Sequence, residues 1–223
     1  VSLGNTVMKG NAKKVRRLAI VQDLSNRAFT QAWVDDVTAE LVRRGGEVAV
    51  VPFTSGEARP LRQVAALALA GRPDGVLLLA NSLDTASLCQ QLRKLDARIP
   101  VFGSDWGFTQ DAVAQGGSAV EGAVFTNKID MDDPSPAFQR FRDAYQARFA
   151  RPADFAAALS YEAVQLVAAG LRRDATREGL RAAVLGLGTF QGLQGELRVD
   201  ANGDVARRQL IMTVRGGRIV AAP

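Results

Sequence analysis

The sequence predicts an α/β fold: a doubly wound parallel sheet with an appended helical segment and C-terminal antiparallel strands. Three observations carry this. Five short apolar runs, at 18–21, 47–53, 75–80, 99–102 and 122–126, alternate with stretches of helical spacing, the pattern of strands that need helices on both faces. At Lys128 the alternation stops and three helical segments follow one another, at 137–149, 155–171 and 176–185. From Phe190 onward the apolar period drops to two, which predicts antiparallel strands at 195–199, 208–214 and 218–220. The pattern thus changes at Lys128, from an α/β lobe to helices, and again near Phe190, to antiparallel β.

Each element has a local cause. The run Leu18 to Val21 follows two arginines and is closed by Gln22 and Asp23. Asp23, Ser25 and Asn26 then supply helix-capping chemistry, and Phe29, Trp33, Val37 and Leu41 recur at helical spacing up to Arg44-Gly45-Gly46, whose glycines stop the helix. EVAVVPF at 47–53 reads as the second strand, and 60–71 as a helix with Val64, Leu67 and Leu69 apolar and Gly71 as its stop. After the strand GVLLLA, Asn81 and Ser82 lead into a helix at 84–95 with Leu88, Cys89, Leu92 and Leu95 on one side. The fourth strand closes on Gly103-Ser104-Asp105-Trp106-Gly107, and a helical turn at 111–115 precedes the fifth. Residues 1–12 read as a loop or irregular lead-in, and Ala201-Asn202-Gly203-Asp204 as a hairpin turn.

Composition narrows the function. The chain has no histidine, so the usual general base, the commonest metal ligand and any His-dependent triad are missing, which points away from an enzyme. One cysteine excludes an internal disulfide, and Cys89 reads as a core thiol. The net charge of +5 is spread among acidic residues. The one dense basic run, Lys13, Lys14, Arg16 and Arg17, has no aromatic residues interleaved and reads as a solvated strand entry, with no nucleic-acid partner expected. Gly45-Gly46 and Gly116-Gly117 lack the spacing of phosphate-binding loops, and the pairs Asp35-Asp36 and Asp132-Asp133 are too close in sequence to act as an acid and base on one helix face. No cofactor or metal is expected. No run is long enough for a membrane span, and the N-terminus lacks the order of a signal peptide, so an exported protein would already have lost its signal.

The order KKVRRLAIVQD, GGEVAVVPF, PDGVLLLA, IPVFGSDWG and EGAVFT, followed by SYEAVQLVAAGL and FQGLQGELRVDANGD, resembles the periplasmic type I solute-binding proteins of the leucine/isoleucine/valine and branched-chain amide family. The last two motifs are the specific ones. Tyr161-Glu162-Ala163-Val164 is similar to the family's Tyr-Asp-Ala-Val helix, and Phe190, Gly192, Gly195, Asp200, Asn202, Gly203 and Asp204 to its Phe-x-Gly-x-x-Gly strand and Asp-x-Asn-Gly-Asp turn. The resemblance implies a protein that captures a small solute between two lobes, outside the cytoplasm, periplasmic or extracellular, for the membrane permease of an ABC importer. It also implies that residues 1–127 form the second lobe, that 189–223 are strands that return to the α/β lobe, and that the helices of 128–188 cover a first lobe preceding residue 1. Their apolar faces then need cover, from such an N-terminal lobe or from a second copy in a homo-oligomer.

The resemblance places the ligand contacts on strand ends, at Ser25, Asn26 and Arg27, at Asn81 and Ser82, and at Ser104, Asp105 and Trp106. Open α/β sheets bind ligands at this carboxyl edge. Arg27 stands where the family has an aromatic residue, Asn81 at a second aromatic contact, and Trp106 at the place of the acid that meets a ligand ammonium. Each residue has a functional and a structural reading: Arg27 as a fork for a carboxylate or an exposed first-turn residue, Trp106 as a ligand contact (a flat apolar wall or a face for a cation) or a core residue, Asp105 as a partner for an amine or a cap for the turn at Gly107. An amino-acid-like, acidic or aromatic solute follows. The alternatives are a ligand-sensing ectodomain and a flavodoxin-like or receiver-type signalling domain acting through protein contacts, in which Asp23 would have to serve as the phosphorylated acid.

Overall fold

The computed structural model describes residues 15–57 and 60–222. The lead-in at 1–12 and the pair Lys13-Lys14 lie outside them. The chain divides into two compact units, one of residues 1–127 with 211–223 and the other of residues 128–210.

The first unit is built on seven strands: β1 (Arg17–Asp23), β2 (Glu47–Phe53), β3 (Gly75–Leu79), β4 (Val101–Gly103), β5 (Val124–Asn127), β9 (Leu210–Arg215) and β10 (Arg218–Ala221), in the order β10-β9-β5-β4-β3-β1-β2. β1 pairs parallel with β2 and β3, setting Ile20 opposite Val50 and Leu77, and the parallel pairing continues through β4 to β5. From β1 the chain moves outward to β2, then returns to the other side of β1 for β3. The strand order therefore reverses between β1 and β3, which opens a crevice at their carboxyl ends.

The helices of this unit are α1 (Arg27–Arg43), α2 (Leu61–Ala70), α3 (Ser82–Leu95) and α4 (Gln110–Gly116). Leu18, Ile20, Leu77, Leu79 and Phe102 pack with Trp33, Val34, Val37 and Leu41 of α1 in one core cluster. Ala19, Val21 and Leu78 alternate to the opposite face and are fully buried, as are Val64, Ala65, Leu88, Cys89 and Leu92. Two expected core positions are exposed. Leu67 and Leu95 face solvent, because Val64, Ala65 and Ala68 make the buried stripe of α2 and the buried stripe of α3 ends at Leu92. β2 is an edge strand, so Val50 is also exposed despite its apolar run. β9 and β10 form an antiparallel hairpin closed by Gly216 and Gly217 at φ 59° and 71°, the left-handed conformations a two-residue hairpin requires. Glu121 accepts from both glycine N–H groups, at 3.0 and 2.6 Å.

The second unit contains α5 (Pro136–Phe149), α6 (Phe155–Arg173), α7 (Arg177–Leu185) and a three-stranded antiparallel sheet of β6 (Thr189–Gly192), β7 (Gly195–Val199) and β8 (Val205–Ala206). Here the structure corrects the boundary expected at 189. Residues 189–206 pair among themselves, and only β9 and β10 join the large sheet. The cause is burial within this unit: Leu193 packs with Ile129, Phe138, Phe141 and Ala158, and Leu197 and Val199 are buried too.

Glu162 explains part of the motif it belongs to. Its carboxylate is buried, accepts from the Leu193 N–H at 2.7 Å and is gripped by the Arg207 guanidinium at 2.7 and 3.3 Å. A Cβ on Gly192 would sit 2.5 Å from Oε1 of Glu162, so glycine is required for this approach. On α6 only Ala158, Glu162 and Gly170 are buried. Tyr161, Val164, Val167 and Leu171 leave an exposed apolar stripe on the helix, with Val164 65% exposed.

Candidate functional site at the carboxyl edge

β1 ends in two polar residues that are buried. Asp23 is fully buried and caps a single 3-10 turn, Leu24–Asn26: its carboxylate accepts from the Ser25 N–H at 2.9 Å and the Ser25 hydroxyl at 2.8 Å. It also accepts from the N–H of Ser55, in the loop after β2, at 3.1 Å. Thr30 donates to the Asp23 carbonyl at 3.0 Å, and the Gln22 amide donates to Thr30 and Gln31 at 3.3 and 3.2 Å. Buried polar groups so fully bonded hold a loop in one geometry.

The network continues across the crevice. The Ser55 hydroxyl accepts from the Asn81 amide at 2.9 Å, and the same amide group donates to Asp84 at 2.8 Å while Asn81 Oδ1 accepts from the Asp84 N–H at 3.0 Å. Asn81 is thus the N-cap of α3, with both amide hydrogens taken. Ser82, one residue on, accepts from the Thr109 hydroxyl at 3.0 Å and makes a weak contact of 3.5 Å to the Trp106 carbonyl.

Arg27 opens α1 and is exposed, and its side chain has no hydrogen-bond or ion-pair partner among the described residues. Two residues later the half-buried Phe29 meets Trp106, with ring centroids 5.6 Å apart and planes at 77°, and lies 6.4 Å from Trp33. This contact joins the first turn of α1 to the loop after β4. Ser104 is fully buried at the end of β4, and its hydroxyl has no partner among the described residues. The turn that follows is closed by the Ser104 carbonyl, accepting from Gly107 and Phe108 at 3.2 and 3.1 Å, and α4 is capped by Thr109. Asp105 is a buried carboxylate beside Trp106.

All eight residues expected from the sequence therefore lie at the carboxyl edge of this unit, on the loops after β1, β3 and β4 or, for Arg27 and Ser82, at the first residue of the helix that follows; Ser25, Asn26 and Arg27 are exposed, Asn81, Ser82 and Trp106 half-buried, and Ser104 and Asp105 buried. Sequence reading gave Asp23 a capping role and, in the receiver-type alternative, that of the phosphorylated acid; it placed Phe29 only on the apolar spacing of α1 and passed over Ser55 and Thr109. The Asp-x-Ser spacing is the local signal for an Asx turn, but nothing local shows that the same carboxylate reaches the next loop. Among the described residues no group of three or more His, Cys, Asp or Glu converges as a metal site, and no helix is long and apolar enough to cross a membrane.

A parallel-dominated sheet flanked by helices, with a separate antiparallel sheet, is the fold of type I periplasmic binding proteins. The periplasmic binding protein family model matches residues 2–218, and the chain belongs to that family. No curated protein sequence matches it. Among solved structures, a leucine binding protein from Thermotoga maritima superimposes with a TM-score of 0.88 at 20% identity, covering 99% of this chain and 63% of that one. A solute binding protein of an ABC transporter from R. palustris, in complex with benzoate, gives 0.81 at 20% identity over 99% of this chain and 60% of its own. The branched-chain amino acid transporter substrate binding protein from Streptococcus pneumoniae, in complex with isoleucine, gives 0.79 at 20% identity, covering 99% and 62%. At these identities the likeness is one of fold. The chain spans under two thirds of the length of these three structures.

Proposed function

We propose that this chain is part of an extracytoplasmic solute-binding protein, without catalytic turnover, that captures a small acidic or aromatic, amino-acid-like solute and passes it to the permease of an ABC importer. The observation that carries the reading is the Phe29–Trp106 contact, with Arg27 exposed two residues before Phe29 in the first turn of α1: an aromatic wall and a guanidinium fork at one edge of the sheet suit a ring and a carboxylate. The buried Ser104 hydroxyl adds a polar group at the same edge. That similarly folded proteins hold isoleucine and benzoate is consistent with it.

The receiver-type alternative is disfavoured, because both Asp23 oxygens are buried and engaged by Ser25 and Ser55. A sensing ectodomain would use the same binding step. The exposed stripe of α6 fits the same reading: in the intact protein, further chain forming a first lobe covers Tyr161, Val164, Val167 and Leu171.

The test is a tryptophan-fluorescence titration of a Trp33→Phe variant, leaving Trp106 as reporter, with benzoate, L-phenylalanine, L-glutamate and L-leucine. Concentrations up to roughly 10 mM reveal affinities as weak as about −2.7 kcal/mol. A saturable response to the aromatic or acidic compounds that Arg27→Met removes is expected. A response to leucine alone would overturn the ligand class, and no saturable response to any of the four would count against the site.

A further inference from the structure

The second unit receives the chain at Lys128 and releases it at Leu210, and both segments are tied to one two-residue turn. On the entry side, Ile129 is buried in the core with Leu193. The next residue, Asp130, donates its N–H to Gln194 Oε1 at 2.9 Å, and the Gln194 amide donates back to the Asp130 carbonyl. On the exit side, Arg207 is held by Glu162, whose Oε1 also accepts from the Leu193 N–H. Leu193 and Gln194 are the two residues between the paired Gly192 and Gly195 of the β6–β7 hairpin.

We infer that the Leu193–Gln194 turn is a clamp that fixes both chain connections to the second unit, so that any bending between the units is confined to bonds before Ile129 and after Arg207. Three features carry this. The clamp is made of reciprocal or charged hydrogen bonds, the stronger kind. The Glu162–Arg207 pair is almost wholly buried, with side chains 4% and 9% exposed, where solvent screens least. Its partners are distant in sequence, Asp130 and Gln194 being 64 residues apart, so neither bond forms as a by-product of local secondary structure. A hinge of short length moves two bodies along few directions, whereas connections loose over several residues let them wander. Gln194, Glu162 and Arg207 act as positioning residues for that hinge. The use of such a hinge, closure on a solute, rests on the function proposed above; the clamp itself is a property of this unit and is measured with no solute present.

The experiment compares the chain with Gln194→Ala and Glu162→Gln, each bearing one dye on each unit through Asp36→Cys and Arg181→Cys, two exposed positions, with the buried Cys89 unlabelled. Amide hydrogen exchange is followed on the same proteins. In the parent chain the Asp130 and Leu193 amides are expected to be protected and the inter-dye distance distribution narrow. Gln194→Ala should raise exchange at Asp130 by at least about ten-fold and broaden the distribution, with the exchange of β1 and β3 unchanged. Glu162→Gln should do the same at Leu193 and around Arg207. If Glu162→Gln fails to fold, Gln194→Ala, at a half-buried surface turn, decides alone. Faster exchange at Asp130 with an unbroadened distribution, or no change in exchange at all, would overturn the inference.

Discussion

The indole of Trp106 stands edge-on to the ring of Phe29, 5.6 Å between centroids, and so joins the loop after the fourth strand to the first turn of α1. Edge-to-face aromatic pairs of this kind add roughly 0.5–1.5 kcal/mol beyond the area they bury. If Trp106 also forms one wall of the solute site, Trp106→Ala should weaken binding of an aromatic carboxylate by roughly 1–3 kcal/mol. Calorimetric affinities of parent and variant check it, and equal values would remove Trp106 from the site.

Asp23 organises the loops after β1 and β2. Asp23→Ala leaves the Ser25 and Ser55 N–H groups without their acceptor and should cost about 1–3 kcal/mol. Asp23→Asn, which keeps one acceptor oxygen, should cost less. Both tryptophans, Trp33 and Trp106, lie in the first unit and both tyrosines, Tyr145 and Tyr161, in the second, so denaturant unfolding can be read for each unit separately. The loss should appear in the tryptophan transition alone.

The opposite holds for Arg207→Met, which strands the buried Glu162 charge. A loss of roughly 3–5 kcal/mol is expected, confined to the tyrosine transition. Restoring part of it by adding Glu162→Gln would show that the uncompensated charge is the cause. A tryptophan transition that moves as far as the tyrosine one would contradict the assignment.

Burial pushes the Cys89 thiol from its usual 9.0 up to about 12, outweighing the opposing charge of Arg93. The folded-state value is raised above the unfolded one, so the stabilisation is fully present below pH 9 and is lost as pH rises from 9 toward 12. Thermal midpoints should fall across that window more steeply than in Cys89→Ala. In the native protein the thiol should resist a disulfide reagent at neutral pH.

The stripe of Tyr161, Val164, Val167 and Leu171 gives a fourth structural test. Left uncovered, it should make this chain bind a hydrophobic dye or self-associate, and Val164→Asp should lessen both. Light scattering with dye titration measures this. A strictly monomeric chain that ignores the dye would mean that the stripe needs no cover.

Much of the fold was legible because its signals are local. Runs such as LAIV and GVLLLA are too apolar for anything but strands buried on both faces, and Trp33, Val37 and Leu41 keep helical spacing across α1. The destination of 189–206 was not legible, since a period of two states that a strand has two faces but not which sheet it joins; here Leu193 and the Glu162–Arg207 pair decide. Leu67 and Leu95 were misplaced for a related reason: spacing gives a stripe, and only packing shows where the stripe ends. At the carboxyl edge the loops themselves followed from strand order. The Asp23–Ser55–Asn81 network did not, because its members come from three loops that meet only in the folded chain.

Whether this edge binds a small solute is decided by amide chemical-shift mapping. Benzoate or L-phenylalanine is expected to shift resonances of 25–29, 81–82 and 104–107 together, with one shared saturation curve, and Arg27→Met to weaken that response. Shifts confined to residues 128–210, or none above those caused by a matched salt, would contradict it.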